Sequence, residues 1–296
     1  ANGGNVAQAN GNDILFTASD GVTKLDHEIE KYNSTTGELI AWVRIPSLSA
    51  TANTAIYLYV GNPSAANQQS PTAVWNIVYK GVWHMDENPT VSGAPMTDST
   101  SNAYNGTPQG SMPASASSAA KMGQGLVFDG ADDYVEVGAA ANVNALTNNF
   151  TVSAWVRPTS LSGTLRFISA ARTLTSNGFG FGTYGTYPRF STFGVKNYTR
   201  STALSLNTWA KLDAVMSNNN VLFYRNGYYI GTVTHTAGGN VNPDDTLRFG
   251  ASTLTGSSSA AEFFVGTLDE VRVCQCVRNA HWMLAEYRNQ NVPTSF

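Results

Sequence analysis

The sequence predicts an all-β protein: a small N-terminal β domain over residues 1–76, then a β-sandwich jelly roll over 77–296 that ends in a short helix. Three observations carry this. Charged residues are only 12% of the chain, about half the usual share near 25%, and Ser, Thr, Asn and Gly supply the polarity instead. Short alternating segments recur between turn signals along the length. The stretch Phe128-Asp129-Gly130-Ala131-Asp132-Asp133-Tyr134-Val135-Glu136-Val137 also has an echo in Thr267-Leu268-Asp269-Glu270-Val271-Arg272-Val273. Each couples an acidic turn to an alternating strand, as where the first and last strands of a sandwich meet, so 125–138 and 262–273 are expected side by side.

In order along the chain, Asp13–Thr17 is a strand closed by the turn Ser19-Asp20-Gly21, and Leu25–Tyr32 alternates up to Thr36-Gly37. Leu39–Ile45 and Thr54–Val60 are the strongest early strands, and Gly61-Asn62-Pro63 begins a connector over 62–76. A second pattern opens at Tyr79–Glu87, passes a loop with Asp98-Ser99-Thr100-Ser101-Asn102, and crosses a low-complexity Ser/Ala run from Ser111 to Ala120. Strands are then expected near 125–129, 133–138, 150–157, 164–171, 178–184, 188–194, 208–216, 220–225, 228–234, 246–252 and 262–273. Asn226-Gly227 supplies the positive φ angles of a type I′ hairpin turn. Met283 and Tyr287 have helical spacing, which predicts a short helix over about Asn279 to Gln290.

At 296 residues the chain holds one large or two ordinary domains. A formal net charge of −3 with scattered Lys and Arg gives no footprint for nucleic acid. No run is long and apolar enough to span a bilayer, and no charged-then-apolar leader opens the sequence at Ala1-Asn2-Gly3-Gly4-Asn5, which reads as a mature form or a fragment from which an export signal could have been lost. The only cysteines, Cys274 and Cys276, sit two apart on an expected strand and face the same way. They read as two partly buried thiols, with a redox or intermolecular role as the alternative; no zinc-ligand spacing surrounds them.

The early strands resemble an uncharacterised extracellular domain family of unknown function. The likeness rests on Asp13-Ile14, Leu25–Glu30, Ala41-Trp42-Val43-Arg44-Ile45-Pro46 and Tyr57-Leu58-Tyr59-Val60-Gly61-Asn62. Members carry a further strand or two before the point where this chain starts, so the resemblance implies an incomplete domain with an open sheet edge. The larger region resembles the laminin-G-like branch of the concanavalin-A-like lectin/glucanase superfamily. Gly81-Val82-Trp83-His84, Gly123–Gly130, Phe150–Val156, Trp209, Leu247–Gly250 and Leu268–Val273 carry that likeness.

This second resemblance implies a structural calcium tying the first strands to the last, with Asp269 and Gly125 as ligands and Asp86 or its neighbours completing the shell. Asp129, Asp132 and Asp133 are nearby alternatives. The other reading is that these carboxylates cap turns or pair with Arg272. Calcium wants six to eight oxygen ligands. Independently, an aromatic ribbon interleaved with glycines runs from Phe179 to Arg200. Sugar rings pack C–H faces on aromatic planes while their hydroxyls need polar partners. Tyr184, Tyr187 and Tyr198 are therefore candidates for stacking, with Arg189 and Asn197 for hydroxyls; Phe179, Phe181 and Phe190 read as core.

Glycosidases need two facing carboxylates at a defined separation. The glucanase Glu-x-Asp-x-Glu pattern is absent, Glu28-Ile29-Glu30 reads as solvent-facing beside Lys31, Asp269 and Glu270 alternate to opposite faces, and Asp244-Asp245 lies in a loop. His27, His84, His235 and His281 have no Ser or Cys motif around them. Trp42 and Trp83-His84 read as structural anchors, and His281-Trp282 as the contact that docks the helix. The expected function is non-catalytic recognition of glycan, or adhesion, by a secreted or surface-displayed prokaryotic-type protein. The alternative is a structural or assembly module that makes protein contacts or self-associates through the open edge, as in a filament, an adhesin stalk or a channel-associated ectodomain.

Overall fold

In the computed structural model of the chain, the described residues are 6–49, 51–89, 95–138, 143, 146, 148–170, 178–234, 241, 246–253 and 259–292. The chain divides into two compact units, Ala1–Ile77 with Ser99–Ser101, and Val78–Asp98 with Asn102–Phe296. Expectations on His235 and Asp244-Asp245 lie outside the described residues.

In the first unit β1 (Leu15–Ala18) pairs with β4 (Ile56–Tyr59), and β2 (His27–Tyr32) with β3 (Leu39–Val43), both antiparallel. Ile14, Phe16 and Leu25 form its buried centre. Glu28 does not face solvent as expected. It is buried and accepts the Trp75 indole N–H at 2.7 Å and the Ser99 hydroxyl at 2.6 Å, while Glu30 accepts the Trp42 indole N–H at 2.8 Å. Sheltered indole N–H groups need acceptors, and the two glutamates supply them. The expected connector belongs to this unit too: it contains α1 (Pro71–Val74), and the Ser70 N–H donates to His27 O at 2.9 Å.

The second unit is a sandwich. One sheet runs β17 (Tyr228–Thr234), β16 (Asn220–Arg225), β15 (Ala210–Ser217), β10 (Asn149–Pro158), β21 (Val265–Cys274), β8 (Gln124–Asp129), β7 (Ser117–Ala119), with β5 (Tyr79–Trp83) also on β21. The other runs β14 (Lys196–Thr199), β13 (Tyr187–Thr192), β12 (Phe179–Tyr184), β11 (Thr164–Ala170), β18 (Leu247–Phe249), β9 (Tyr134–Gly138), β6 (Thr107–Gln109). A small ribbon joins β19 (Ser252–Thr253) to β20 (Ala260–Ala261). Val152, Leu212, Phe223 and Val271 from the first sheet share one buried cluster with Phe167, Phe181, Phe190 and Phe249 from the second. Trp83 is fully buried there, its indole N–H on Tyr104 O at 2.9 Å.

The first and last strands meet as expected only in part. Leu126 to Asp129 of β8 pairs with Leu268 to Val265 of β21, but β9 lies in the other sheet. The acidic turn is the crossover: Gly130 has φ 80°, Asp129 Oδ1 accepts the Ala131 N–H at 2.7 Å, and Asp133 Oδ2 accepts the Asp129 N–H at 3.1 Å. Alternation is the same in either sheet, so the pattern could not reveal the crossing. The Ser/Ala run also yields an edge strand, β7, because pairing on β8 uses backbone rather than side chains.

A bulge reshapes the terminal strand. Ser153 stands opposite Arg272 and Trp155 opposite Asp269, with Glu270 at φ 52° in the extra position. Leu268 and Val271 both enter the core, so Asp269 and Glu270 share the outer face rather than alternating. Over that face lies α2 (Ala280–Asn291), capped by Asn279, whose side chain accepts the Trp282 N–H at 2.9 Å. Gln290 accepts the Trp155 indole N–H at 2.6 Å, Tyr287 packs on the Trp155 ring at 5.6 Å, and Met283 is buried with Val215 and Tyr224. Of the expected docking pair, His281 is exposed, while Trp282 is 44% exposed but lies one turn before Glu286, with the Arg278 guanidinium 3.7 Å from its ring centre. The Asn226-Gly227 turn closes its hairpin with φ 54° and 77°. A Cβ on Gly227 would stand 2.9 Å from Leu284 Cα, so the turn packs against α2. Cys274 and Cys276 form a disulfide, correcting the reading as thiols: β21 ends at Cys274, and the chain turns there instead of continuing extended. Among the described residues no helix is long and apolar enough to cross a membrane.

Candidate functional site

The outer face of the seven-stranded sheet carries a cleft of about 440 Å³. In β12 the order Phe-Gly-Phe-Gly sends Phe179 and Phe181 into the core and leaves Gly180 and Gly182 outward. In β13 and β14, Phe190 and Tyr198 turn inward, while Arg189, Ser191 and Asn197 face out. The bare glycine floor matters: a Cβ on Gly180 would stand 2.6 Å from Phe193 Cζ and 3.0 Å from Arg166 Nη1. Backbone alone underlies those two side chains, and the Arg166 guanidinium lies 5.2 Å from the Phe193 ring centre.

Arg166 organises the floor. Its Nε donates to Glu262 at 2.6 Å, and its Nη1 to Ser191 Oγ at 3.0 Å and Gly180 O at 3.2 Å. Ser191 Oγ in turn donates to Asn197 Oδ1 at 2.6 Å, which fixes the amide and leaves its NH₂ group as the donor end. Arg189 lies over the Tyr184 ring at 3.9 Å and donates from Nε to Thr199 Oγ1 at 3.0 Å. Burial, followed by the charge of Arg166, holds the Arg189 guanidinium below its ordinary value; it remains a cation, as arginine does. Tyr184 and Tyr187 stand at the hairpin tip, 51% and 41% exposed. Of the five residues predicted to bind ligand, Arg189 and Asn197 line the cleft and the two tyrosines lie beside it at the end of the same strands. Tyr198 is a correction: its ring is fully buried, edge-on to Phe190 at 6.1 Å, so it cannot stack on a ligand. Phe193 of the predicted ribbon also lines the cleft, while Arg166 and Glu262 line it and were missed; the alternate glycines of β12 were the available signal.

The four predicted calcium ligands do not converge. Gly125 backs onto Asp269: a Cβ there would stand 3.4 Å from Asp269 Cβ and 2.8 Å from Leu268 O. Asp129 lies four residues further along β8, opposite Val265, or about 13 Å away at strand rise. Asp86 feels the charges of His84 and Glu270, and burial, reinforced by Glu87, raises its carboxyl to about 6. Asp269 itself is buried and accepts the Met122 N–H at 2.7 Å, with Lys121 as its neighbouring cation. Asp129 therefore does not share one shell with Asp269 and Gly125. The carboxylates of Asp129, Asp132 and Asp133 do approach one another, and those of Asp129 and Asp133 accept backbone N–H groups of their own turn.

A buried ionic cluster under α2 was not foreseen. Lys211 pairs with Asp213 and, at 3.1 Å, with Glu286. Arg272 pairs with Glu286 at 2.7 Å and with Glu270, whose other oxygen meets His84 Nδ1 at 2.6 Å. The signal was Lys211-Leu212-Asp213, two charges at alternate positions of an otherwise apolar strand. Each carboxylate here holds a cation, so the cluster ties helix to sheet rather than presenting an acid and a base to solvent.

Residues 129–282 match the family described as the concanavalin A-like lectin/glucanases superfamily, and residues 10–105 match a domain of unknown function, DUF2341. No curated protein matches the chain. Among solved structures, domain 4 of the extracellular arabinanase AbnA from Geobacillus stearothermophilus, in complex with arabinotriose, is 16% identical with a TM-score of 0.52, over 70% of this chain and 97% of that one. The binding domain of botulinum neurotoxin serotype D/C is 13% identical with a TM-score of 0.54, over 73% of this chain. This chain spans about half of that domain, 53%. Both likenesses are of fold.

Proposed function

Since the chain belongs to the concanavalin A-like lectin/glucanases superfamily, we propose that it is a non-catalytic glycan-binding module of a secreted or cell-surface protein, working through the cleft on its seven-stranded sheet. The observation that carries this is the pairing of exposed Tyr184 and Tyr187 with fixed donors on Arg189 and Asn197 along the same strands. Aromatic planes take sugar faces, and oriented donors take hydroxyls. The non-catalytic reading is supported by the lining: among the described residues the cleft holds one carboxylate, Glu262, already bound to Arg166, where glycoside hydrolysis uses two. Titration calorimetry against a glycan panel is expected to find a saccharide ligand, with binding weakened about tenfold by Tyr184→Ala plus Tyr187→Ala, near the sum of two stacking contacts. A panel with no ligand, or a double variant that binds unchanged, overturns the reading.

A different observation favours a second reading, protein contact. Strand β4 pairs only with β1 among the described residues, and Tyr57, Leu58 and Tyr59 are exposed although they alternate between its two faces. Such an edge accepts another strand. Light scattering that shows concentration-dependent association, abolished by Leu58→Lys, supports it; a strict monomer removes it.

A further inference from the structure

We infer that the saccharide held in this cleft carries an anionic substituent, a carboxylate or a sulfate ester, bound by Arg189 with the amide of Asn197. The inference rests on the glycan-binding reading and narrows it to a ligand class.

The charges facing the cleft among the described residues are Arg166, Arg189, Lys196 and Glu262. Arg166 and Glu262 neutralise one another at 2.6 Å. Lys196 is turned aside: its Nζ donates to the Thr234 carbonyl of the other sheet at 2.7 Å. That leaves Arg189, whose Nε is held by the neutral Thr199 hydroxyl. The most buried cations of this unit have carboxylates instead: Lys211 has Asp213 and Glu286, Arg272 has Glu270 and Glu286, and Arg248 has Glu136 at 2.8 Å. Within the cleft, Arg189 is the charge without a matching carboxylate among the described residues.

Geometry makes that charge selective. The Tyr184 ring and Thr199 clamp the Arg189 guanidinium on one side, leaving its two Nη groups without a described hydrogen bond. A planar fork of this kind matches a carboxylate or sulfate with two parallel bonds. Arg189 stands opposite Thr199, two residues from Asn197, so the fork and the amide are diagonal cross-strand neighbours, about 7–8 Å apart at the backbone. That span suits one sugar ring and its substituent. Burial, followed by the charge of Arg166, lowers the Arg189 guanidinium, and an anion on its free fork favours the charged form. A neutral saccharide offers no such support, and its hydroxyls would favour carboxylate acceptors, of which the cleft has only the engaged Glu262.

The test is calorimetric titration of the whole chain with matched pairs: oligogalacturonate against its methyl ester, and a sulfated galactan oligomer against its desulfated form. The anionic member of at least one pair is expected to bind ten-fold or more tightly than its neutral partner, and which pair responds identifies carboxylate or sulfate. Arg189→Gln is expected to remove most of that preference without shifting the melting temperature, whereas Lys24→Gln, a charge removed elsewhere, keeps it. Neutral and anionic members binding equally, or a preference that survives Arg189→Gln, overturns the inference while saccharide binding stands. No binding to any of the four, with no ligand on a wider glycan panel, removes the glycan reading and this inference with it.

Discussion

Arg272 of β21 and Glu286 of α2 form an ion pair of 2.7 Å, with side-chain exposures of only 6% and 12%. It joins the last strand to the helix after it, and Lys211 closes the same carboxylate from β15 at 3.1 Å. Removing one member of a buried pair leaves the others charged and desolvated. Glu286→Gln is therefore expected to cost about 3–5 kcal/mol, read by urea unfolding. A loss under about 1 kcal/mol would show that the cluster does not hold the helix.

The same cluster sets the response to acid. Burial pushes Glu286 up, but Lys211 and then Arg272 outweigh it and hold the carboxyl below its ordinary 4.5. Burial likewise pushes Glu270 up and is outweighed by His84 and Arg272, so it too lies below 4.5. A depressed carboxyl contributes stability above the unfolded value and loses it as pH falls through the folded one. Asp213 has the opposite sign, since burial outweighs Lys211 and raises it. The contribution of Glu286 is therefore present above 4.5 and lost as pH falls below it, so unfolding free energy is expected to fall less steeply with acid in Glu286→Gln. Urea midpoints measured from pH 6 to 2 check this; parallel curves for the two proteins would refute it.

The Cys274–Cys276 disulfide closes a ring spanning only three residues. Loop-closure entropy for so short a ring is about 1.6 kcal/mol. Replacing both cysteines by serine is expected to lower stability by no more than about that amount and to leave the fold intact by circular dichroism. Loss of the folded state would assign the bridge a larger role.

Gly180 separates stability from binding. A Cβ there meets the far end of the Phe193 ring, which can swing away, and stands 3.0 Å from Arg166 Nη1, which need give only slightly. Gly180→Ala is expected to change the unfolding free energy by less than about 1 kcal/mol while weakening saccharide binding several-fold. An unchanged affinity would take the cleft floor out of the account.

Much of the fold was legible because hydrophobic alternation and turn chemistry act locally. Asn226-Gly227 marked its hairpin, and Met283 with Tyr287 marked α2. What escaped depends on contacts distant in sequence. Glu270 breaks the period of two through a bulge, so Asp269 and Glu270 were assigned to opposite faces. Tyr198 sits in a four-residue strand, too short to display alternation, and only its pairing with Phe190 turns it inward. Arg189 and Asn197 were visible as polar residues within an aromatic ribbon. Arg166, which fixes Ser191 and through it Asn197, comes from β11 and could be joined to them only in three dimensions.

The central claim is that ligand binds on the outer face of the seven-stranded sheet. Backbone amide shifts followed by NMR during titration with the tightest saccharide test it most directly. The account predicts that the largest changes fall on 184–199 and on Ala261 and Glu262, with β15 to β17 and α2 unmoved. Shifts concentrated on β15 to β17 or on α2, with the cleft silent, would contradict it.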